Sequence, residues 1–550
     1  MRLEVRGAND DLADNIRAHV GKMPEAEEET GPRFRRRVQE AAEQAAQALG
    51  YYRARIAVER ERDDDDVVIR VRVEPGERVT VTEVDVRLEG DAQNDRAFKR
   101  ALTRLPIAQG EPLHHGHYES SKQELENLAL RRGYFDARFT RNRVEVDTEA
   151  NTARILLTFD SGARYRFGEV RFSETPFTED LLRRLVPFET GQPYRSDSVV
   201  ELNRNLLDSR YFADVRVRPQ PEQAQDRAVP IDVDLTAEEP NRIGVGLGYA
   251  TDVGPRVRLT WTRPWINRHG HSASVATEWS SARYSISGQY QIPWRNPLTD
   301  FVQIQGGIID EEFPDAESRR YTLALQREWR LSSGWRRSVF VRWDRDHFQQ
   351  DNQEPVTTDL VLPGVSYTRT EVRGSAIDPR SGNRQLFTIE AGNEWLGSDI
   401  NLVRLRMGTR WLVPVADKHK LFLRGDLGAI WTSSFEELSP SLRFFAGGDQ
   451  SIRGFDYNTV APRQGDEIVG GKYLYTGSVE YDYRFAEKWQ LATFVDAGNA
   501  ADSFDEPLKV GAGFGIHWIS PVGPVRLEFA WGVSEHDKPF ELHFTLGPRL

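Results

Sequence analysis

Two hydrophobic periodicities divide the chain. Up to about residue 240, stretches with an apolar residue at every second position alternate with stretches at helical spacing; after Pro240 the helical spacing stops and only the period of two continues, broken by turns, for the remaining 310 residues. The first part repeats one order of elements three times. LEVRG, the helix-like FRRRVQEAAEQAAQALG, then YYRARIAVE and DDVVIRVRVEPG form the first copy. VTVTEVDVRLEG, YESSKQELENLALRRG, YFDARFTRNRVEV and ARILLTFDSG form the second; YRFGEVRFSE, SDSVVELNRNLLDSR, YFADVRVRPQ and VPIDVDLTAEEP form the third. The pattern predicts three β-α-α-β-β modules at 1–75, 76–162 and 163–240, each of roughly the size at which a small α+β domain folds alone.

The copies align at their helix-to-strand junctions, Gly50-Tyr51-Tyr52, Gly133-Tyr134-Phe135 and Arg210-Tyr211-Phe212, where a helix-ending residue is followed by an aromatic pair that opens a strand. Gly110-Glu111-Pro112-Leu113 and Gly191-Gln192-Pro193-Tyr194 precede the long helices of the second and third copies. Leu125, Leu128 and Leu130, and Val199, Leu202 and Leu206, are the expected buried faces of those helices. In the first copy Val67, Ile69, Val71 and Val73 share one strand face.

Beyond Pro240, Ile243, Val245, Leu247 and Tyr249 lie on one face of the first strand, with Gly244, Gly246 and Gly248 on the other. Further on, Tyr473, Tyr475, Val479, Tyr481, Tyr483 and Phe485 oppose Thr476, Ser478, Glu480, Asp482 and Arg484; Phe540, Leu542, Phe544 and Leu546 oppose Glu541, His543 and Thr545. A soluble β-sandwich alternates in the same way with its apolar face inward. Aromatic-rich apolar faces, and a run of strands without helices, favour a transmembrane antiparallel barrel with a polar lumen over 241–550; at roughly 19 residues per strand and connection it holds about 16 strands.

Composition narrows the classes. The mean hydropathy is −0.59, and no apolar run nears the ~18–20 residues of a membrane helix, which excludes a helical membrane protein but not a barrel. With no cysteine there are no disulfides or thiolate metal sites. A net charge of −12 argues against nucleic acid as a partner. MRLEVRGANDDL has no apolar signal core, so the expectation for an exported protein is that its signal has been removed. Hydrolase elbows, phosphate loops and zinc-hydrolase helices are absent from the sequence, and nothing marks a catalytic pair, so no enzyme and no cofactor are expected. His114, His115 and His117 read as a loop lacking a further metal ligand, and the acidic run Asp63–Asp66 as a solvated hairpin turn rather than a calcium loop.

Three such modules ahead of a barrel resemble the outer-membrane insertase superfamily that contains BamA, with its POTRA modules. Gly447-Gly448-Asp449-Gln450-Ser451-Ile452-Arg453-Gly454-Phe455 is similar to the superfamily's Val/Ile-Arg-Gly-Phe/Tyr motif, carried on a long loop folded into the barrel. Phe494-Val495-Asp496-Ala497-Gly498 looks like the strand motif that receives the loop, and Asp378-Pro379-Arg380-Ser381-Gly382 like a further family block. A count of three modules, against five in BamA and two in two-partner secretion transporters, resembles the TamA branch, as does the ending Gly547-Pro548-Arg549-Leu550.

The resemblance covers essentially the whole chain. It implies an outer-membrane barrel with periplasmic modules, working with a TamB-like periplasm-spanning partner, client outer-membrane proteins such as autotransporters, and the lipid bilayer. A two-partner-secretion-type translocation pore is the alternative. Ile452, Arg453, Gly454 and Phe455 are the expected lumen-loop motif, with Arg453 bound to Asp496; Phe494, Asp496 and Gly498 are the receiving strand. Glu480, Asp482 and Glu528 offer an acidic wall on the lumen faces. Gly244, Gly246, Gly248, Phe544, Gly547 and Pro548 are expected to form a short lateral seam. There the glycines would free room for the inserted loop and Pro548 would end the pairing.

Overall fold

The computed structural model describes residues 2–21, 31–63, 66–351, 353–375, 377–521 and 523–547. Asp64 and Asp65 of the acidic run, the side chain of Val67, and Pro548, Arg549 and Leu550 lie outside the described residues. The chain forms two compact units, one of Met1–Ser173, Pro187–Arg204 and Arg216–Asp234, the other of Glu174–Val186, Asn205–Val215 and Leu235–Leu550.

Each repeat carries a three-stranded sheet in which the last strand lies in the middle. In the first, Arg2–Arg6 runs parallel to Asp66–Glu74, which pairs antiparallel with Arg55–Asp63. The second repeats this with Thr80–Glu89, Thr152–Asp160 and Arg138–Asp147. In the third, Arg166–Phe172 runs parallel to Ala228–Ala237, with Phe212–Pro219 completing the sheet. A parallel pair needs a crossover, and the two helices between the first and second strands supply it. In the first module these are Asp10–Val20, capped by Asn9 accepting from the Leu12 N–H at 3.0 Å, and Pro32–Ala48. Leu12, Ile16, Val38, Ile69, Val71 and Val73 are buried together as its core.

Two readings of the second module's long helix need correction. It spans His115–Arg132, so His115 and His117 are helical and His114 is its N-cap rather than part of a loop. Leu125 and Leu128 are buried, but Leu130 is 55% exposed and Ala129 fills the core position. Two residues beyond Leu128 the helix has turned by about 200°, which carries Leu130 to the opposite side.

Matching joints link the modules of the first unit. Gly50 and Gly133 both have positive φ, 90° and 79°. The Gly50 carbonyl accepts from the Val79 N–H at 2.9 Å, and the Gly133 carbonyl from the Tyr165 N–H at 2.8 Å. A Cβ on Gly50 would stand 2.4 Å from the Leu113 carbonyl oxygen, and one on Gly133 2.6 Å from Tyr194 Cβ. The repeated Gly-X-Pro-Leu/Tyr loops are therefore what the helix-ending glycines receive. Within the second unit, Tyr211 donates to the Gly270 carbonyl at 3.0 Å, and Phe177 packs against Tyr211, Phe212 and Trp265.

Sixteen antiparallel strands close a barrel, from Arg242–Ala250 to Phe540–Leu546. Alternation on Tyr473–Ala486 falls as expected: Val479, Tyr481, Tyr483 and Phe485 point outward and exposed, while Thr476, Ser478, Glu480 and Asp482 are buried inside. The lumen differs from the wet channel that alternation alone suggests. At the end where the first strand finishes, Leu360, Leu362, Leu402, Ile430 and Ala500 of the wall pack with Leu438, Leu442, Phe444, Ile452, Phe455 and Val460 of the long connection 433–472. No helix among the described residues is long and apolar enough to cross a membrane.

In the second module Asp95 is buried, accepting from Arg132 Nε at 2.6 Å, the Ala97 N–H at 2.9 Å and the Tyr134 hydroxyl at 3.2 Å. Burial alone would raise its carboxyl, but Arg132 and the backbone N–H hold it below the ordinary value. Burial and the Asp95 charge push the Tyr134 phenol up to about 12. A depressed carboxyl stabilises the fold above its unfolded pKa and loses that contribution as pH falls through the folded value. Asp95→Asn is expected to cost about 1–3 kcal/mol at neutral pH and to flatten the acid limb of this module's stability, read by hydrogen exchange of Arg96–Leu102 and His115–Arg132 between pH 7 and pH 3.

Candidate functional site

The long connection enters the barrel on glycines. Gly447, Gly448 and Gly454 have φ of 101°, 92° and 88°, a region closed to most side chains. They fold the segment back on itself, with the Gly448 N–H donating to the Phe455 carbonyl at 2.9 Å and Ala446 bridging Val460 in both directions. Ile452 and Phe455 are buried in the apolar cluster, leaving Arg453 between them to face the wall of strands.

Arg453 is 3% exposed, and its guanidinium faces acceptors from the lumen sides of three strands, Tyr473–Ala486, Trp489–Ala501 and Gly523–Gly532. Nε and Nη2 bind the two oxygens of Asp496 at 2.7 and 2.9 Å, and the backbone N–H adds a third bond to the same carboxylate at 3.0 Å. Nη1 donates to Glu480 at 2.6 Å and lies 3.2 Å from Glu528, while Nη2 also reaches Ser478 at 3.2 Å. The guanidinium carbon stands 3.4 Å from the centroid of the Phe494 ring, a cation–π contact away from water. His517 Nε2 donates to the Glu528 carboxylate at 3.0 Å, and Nδ1 lies 3.5 Å from Asp482. Glu480, His517 and Glu528 bring their ligand atoms within 4.8 Å of one another, but the Arg453 cation already stands against both carboxylates.

Of the receiving strand Trp489–Ala501, Phe494, Asp496 and Gly498 share the lumen face, two residues apart. Phe494 stacks on the guanidinium and Asp496 binds it. Gly498 lets the Tyr475 carbonyl approach to where a Cβ would be only 2.2 Å away. Around this clasp are residues that the motif does not include. Arg424 donates to the Ser451 carbonyl and, at 3.3 Å, to that of Asp449. Asp252 accepts from the Asp449 N–H at 2.6 Å and lies 3.4 Å from His543, whose other nitrogen meets the Gly454 N–H at 3.3 Å. Alternation places His543 and Arg424 in the lumen; what it does not give is the loop lying against them.

Gly244, Gly246 and Gly248 do not make room for the loop, contrary to expectation. A Cβ on any of them would meet nothing closer than 3.6 Å. The positions that admit the loop are Gly511, where a Cβ would be 1.8 Å from the Arg453 carbonyl oxygen, and Gly532, at 2.9 Å from that of Gly454. They lie on Lys509–Ser520 and Gly523–Gly532, the strands over which the loop passes.

The seam is short. The first and last strands share one registered pair, Ala250 with Thr545, whereas the first and second strands are in register from Arg242 with Thr262 to Ala250 with Gly254. Around that pair, the Thr251 N–H reaches the Phe544 carbonyl at 3.1 Å and the Tyr249 and Phe544 rings lie 5.7 Å apart. Gly244, Gly246 and Gly248 therefore stand on an edge with no strand beside it among the described residues. Ile243, Val245 and Leu247 on the same edge are 80%, 66% and 75% exposed. Gly547 still donates to the Pro524 carbonyl at 3.0 Å, and Pro548 lies outside the described residues.

Asp378, of the Asp-Pro-Arg-Ser-Gly block, sits at the barrel end where the first strand begins. It accepts from Lys420 at 2.9 Å and pairs with Arg484, tying three neighbouring turns together.

Residues 239–550 match the family model described as the Omp85 superfamily domain. Residues 2–75 match the POTRA domain TamA domain 1, and 81–162 and 165–238 match a POTRA model described as the surface antigen variable number repeat. The outer membrane protein assembly factor BamA of Nitratidesulfovibrio vulgaris is 24% identical over 400 residues, covering 67% of this chain and 49% of that protein. The BamA of Neorickettsia risticii is 21% identical over 522 residues, covering 89% and 68%. The chain thus spans about half the length of the first of these relatives. In fold it is similar to the crystal structure of BamA from Haemophilus ducreyi lacking POTRA domains 1–3, with a TM-score of 0.72 at 15% identity over 85% of this chain and 99% of that one.

Removing one partner of a buried ion pair leaves an uncompensated charge, at a cost of about 3–5 kcal/mol. Arg453→Ala is therefore expected to free residues 433–472 for tryptic cleavage in a barrel that still shifts on boiling in SDS gels. Gly511→Ala, which leaves every charge in place, is expected to do the same by pushing the loop backbone off the wall. A loop that stays protected in both variants would show that the apolar cluster alone holds it.

Proposed function

The chain belongs to the Omp85 superfamily, an outer-membrane barrel with periplasmic POTRA modules, and on that premise we propose that it assembles other outer-membrane proteins as the barrel subunit of a TamA–TamB-like complex. The observation that carries the assembly reading is the unpaired edge of Arg242–Ala250. In lipid, each unpaired backbone N–H and carbonyl costs several kcal/mol. An edge of this kind is a template on which an incoming strand gains main-chain hydrogen bonds as it leaves the periplasm. The chain needs no bound fuel for this step, because the client's own burial and pairing supply the driving force. The single Ala250–Thr545 pair closes the seam at one end and lets it yield.

The clasp has a separate role in this reading. Bound to strands twelve to fifteen, counted from Arg242–Ala250, the loop keeps the last strands aligned while the first strand's edge is engaged. A translocation pore would instead require the loop to leave the lumen, against the Arg453 ion pairs and the apolar cluster. The TamA branch is supported by the match of residues 2–75 to a TamA first-module model.

The chain has no cysteine, so a pair at Ala250→Cys and Thr545→Cys tests the seam without background. Oxidised, this variant is expected to insert an autotransporter client at least about tenfold more slowly in cells, with recovery on reduction. Unimpaired insertion in the locked form would sink the seam mechanism. Cross-linking from the modules is expected to capture a large periplasm-spanning protein; capture of periplasmic lipoproteins alone would move the chain to the BamA branch.

A further inference from the structure

The outward wall of the barrel carries a feature that neither the clasp nor the seam uses. The turn between Ala316–Arg330 and Arg336–Gln350 lies at the barrel end where the first strand begins, which is the periplasmic end. Beside it Leu331, Trp335, Tyr367 and Phe387 line an apolar pocket of about 380 Å³. Tyr367 pairs across the sheet with Arg337 on one side and Phe387 on the other, so all three share a face. That face is the lipid side, because the opposite parity of the same strands carries the buried lumen residues Asp344, Leu360, Leu362 and Glu390.

Arg337 is the second residue of its strand, at the periplasmic end of the barrel wall. Its guanidinium lies 4.3 Å from the Trp329 ring centroid and 6.0 Å from that of Tyr367, and Nη1 stands 3.5 Å from the Tyr367 hydroxyl. No carboxylate among the described residues pairs with it, and its buried Nε–H has no acceptor. The second cation, Arg369, lies 6.0 Å from the Trp335 ring and is paired with Glu371, which Asn383 also contacts at 3.2 Å. Next to Phe387 on the same face, Gln385 is 9% exposed, in register with Arg369, and its Nε2 lacks an acceptor.

We propose that this is a binding site for one inner-leaflet glycerophospholipid. The phosphodiester oxygens accept from the terminal nitrogens of Arg337, and one acyl chain lies in the pocket of Trp335, Tyr367 and Phe387. Charge complementarity favours this occupant: an unpaired guanidinium facing lipid is neutralised most readily by a phosphodiester, the anionic group that the bilayer presents at that end of the wall. The aromatic rings hold the guanidinium flat, so little freedom is lost on binding. The site lies several strands away from the seam, so a lipid there would be a fixed component of the wall and would not take part in strand exchange.

The test uses the full chain, purified in detergent, stripped of lipid and titrated with palmitoyl-oleoyl phosphatidylglycerol under native mass spectrometry. Wild type is expected to retain one lipid more tightly than the rest. Arg337→Gln is expected to weaken that binding about tenfold, and Phe387→Ala to weaken it severalfold. Arg345→Gln, on the same strand and face but at the far end, is expected to bind as wild type. Heat-modifiable gel mobility confirms that each variant is folded. Dioleoylglycerol, which lacks the phosphate, is expected not to be retained. The proposal is overturned if Arg337→Gln holds the lipid as wild type does, if dioleoylglycerol binds equally, or if inorganic phosphate in tenfold excess displaces the lipid.

Discussion

A guanidinium sealed inside a protein is stable only where its charge is answered on every side, and Arg453 sets that condition for the barrel interior. Its five donors are distributed over Asp496, Glu480 and Ser478, with Glu528 close by and Phe494 beneath. This arrangement demands that three strands hold their acidic residues in one register and that the loop backbone lie directly on the wall. Glycines at 511 and 532 meet the second demand. Once the loop is seated, Ile452 and Phe455, flanking Arg453-Gly454, are carried into the apolar cluster, and the lumen at the end where the first strand finishes becomes a packed core.

Hydrogen-bond satisfaction of the backbone acts on the same barrel with the opposite consequence. Closure into sixteen strands pairs the interior of the wall, as a hydrocarbon environment requires. At one place closure is nearly withheld, since the first strand is paired along its length on one side and at a single residue on the other. The molecule thus concentrates its order at the clasp and its unsatisfied backbone at the seam.

Much of this was legible in the chain, for identifiable reasons. The strands followed from period-two alternation, and the barrel from their aromatic-rich apolar faces and a run of strands unbroken by helices. The Arg453–Asp496 pair followed from the family resemblance of the loop and strand motifs, since alternation alone leaves Glu480, Asp482 and Glu528 as equally placed partners on the lumen faces. The glycines misled. A glycine in a strand looks the same whether it faces an inserted loop or nothing, and only the register of neighbouring strands distinguishes Gly511 from Gly246. The length of the seam was hidden for a similar reason, since alternation fixes which face a residue takes and not how far two strands run together. Leu130 departs from the expected face because a leucine two residues after another on a helix cannot share its side; the small Ala129 takes that place.

The joints between modules have a consequence of their own. The long helices of the first and second modules each end in a glycine that offers its carbonyl to the next module's opening strand, and leaves bare the surface on which that module's Gly-X-Pro loop rests. The second module therefore receives at its front what it offers at its back. A chain built on such a coupling can gain or lose a whole module by duplication or deletion of a gene segment without redesigning any surface. Lineages sharing this barrel could thus diverge in reach across the periplasm while leaving the machinery in the membrane untouched.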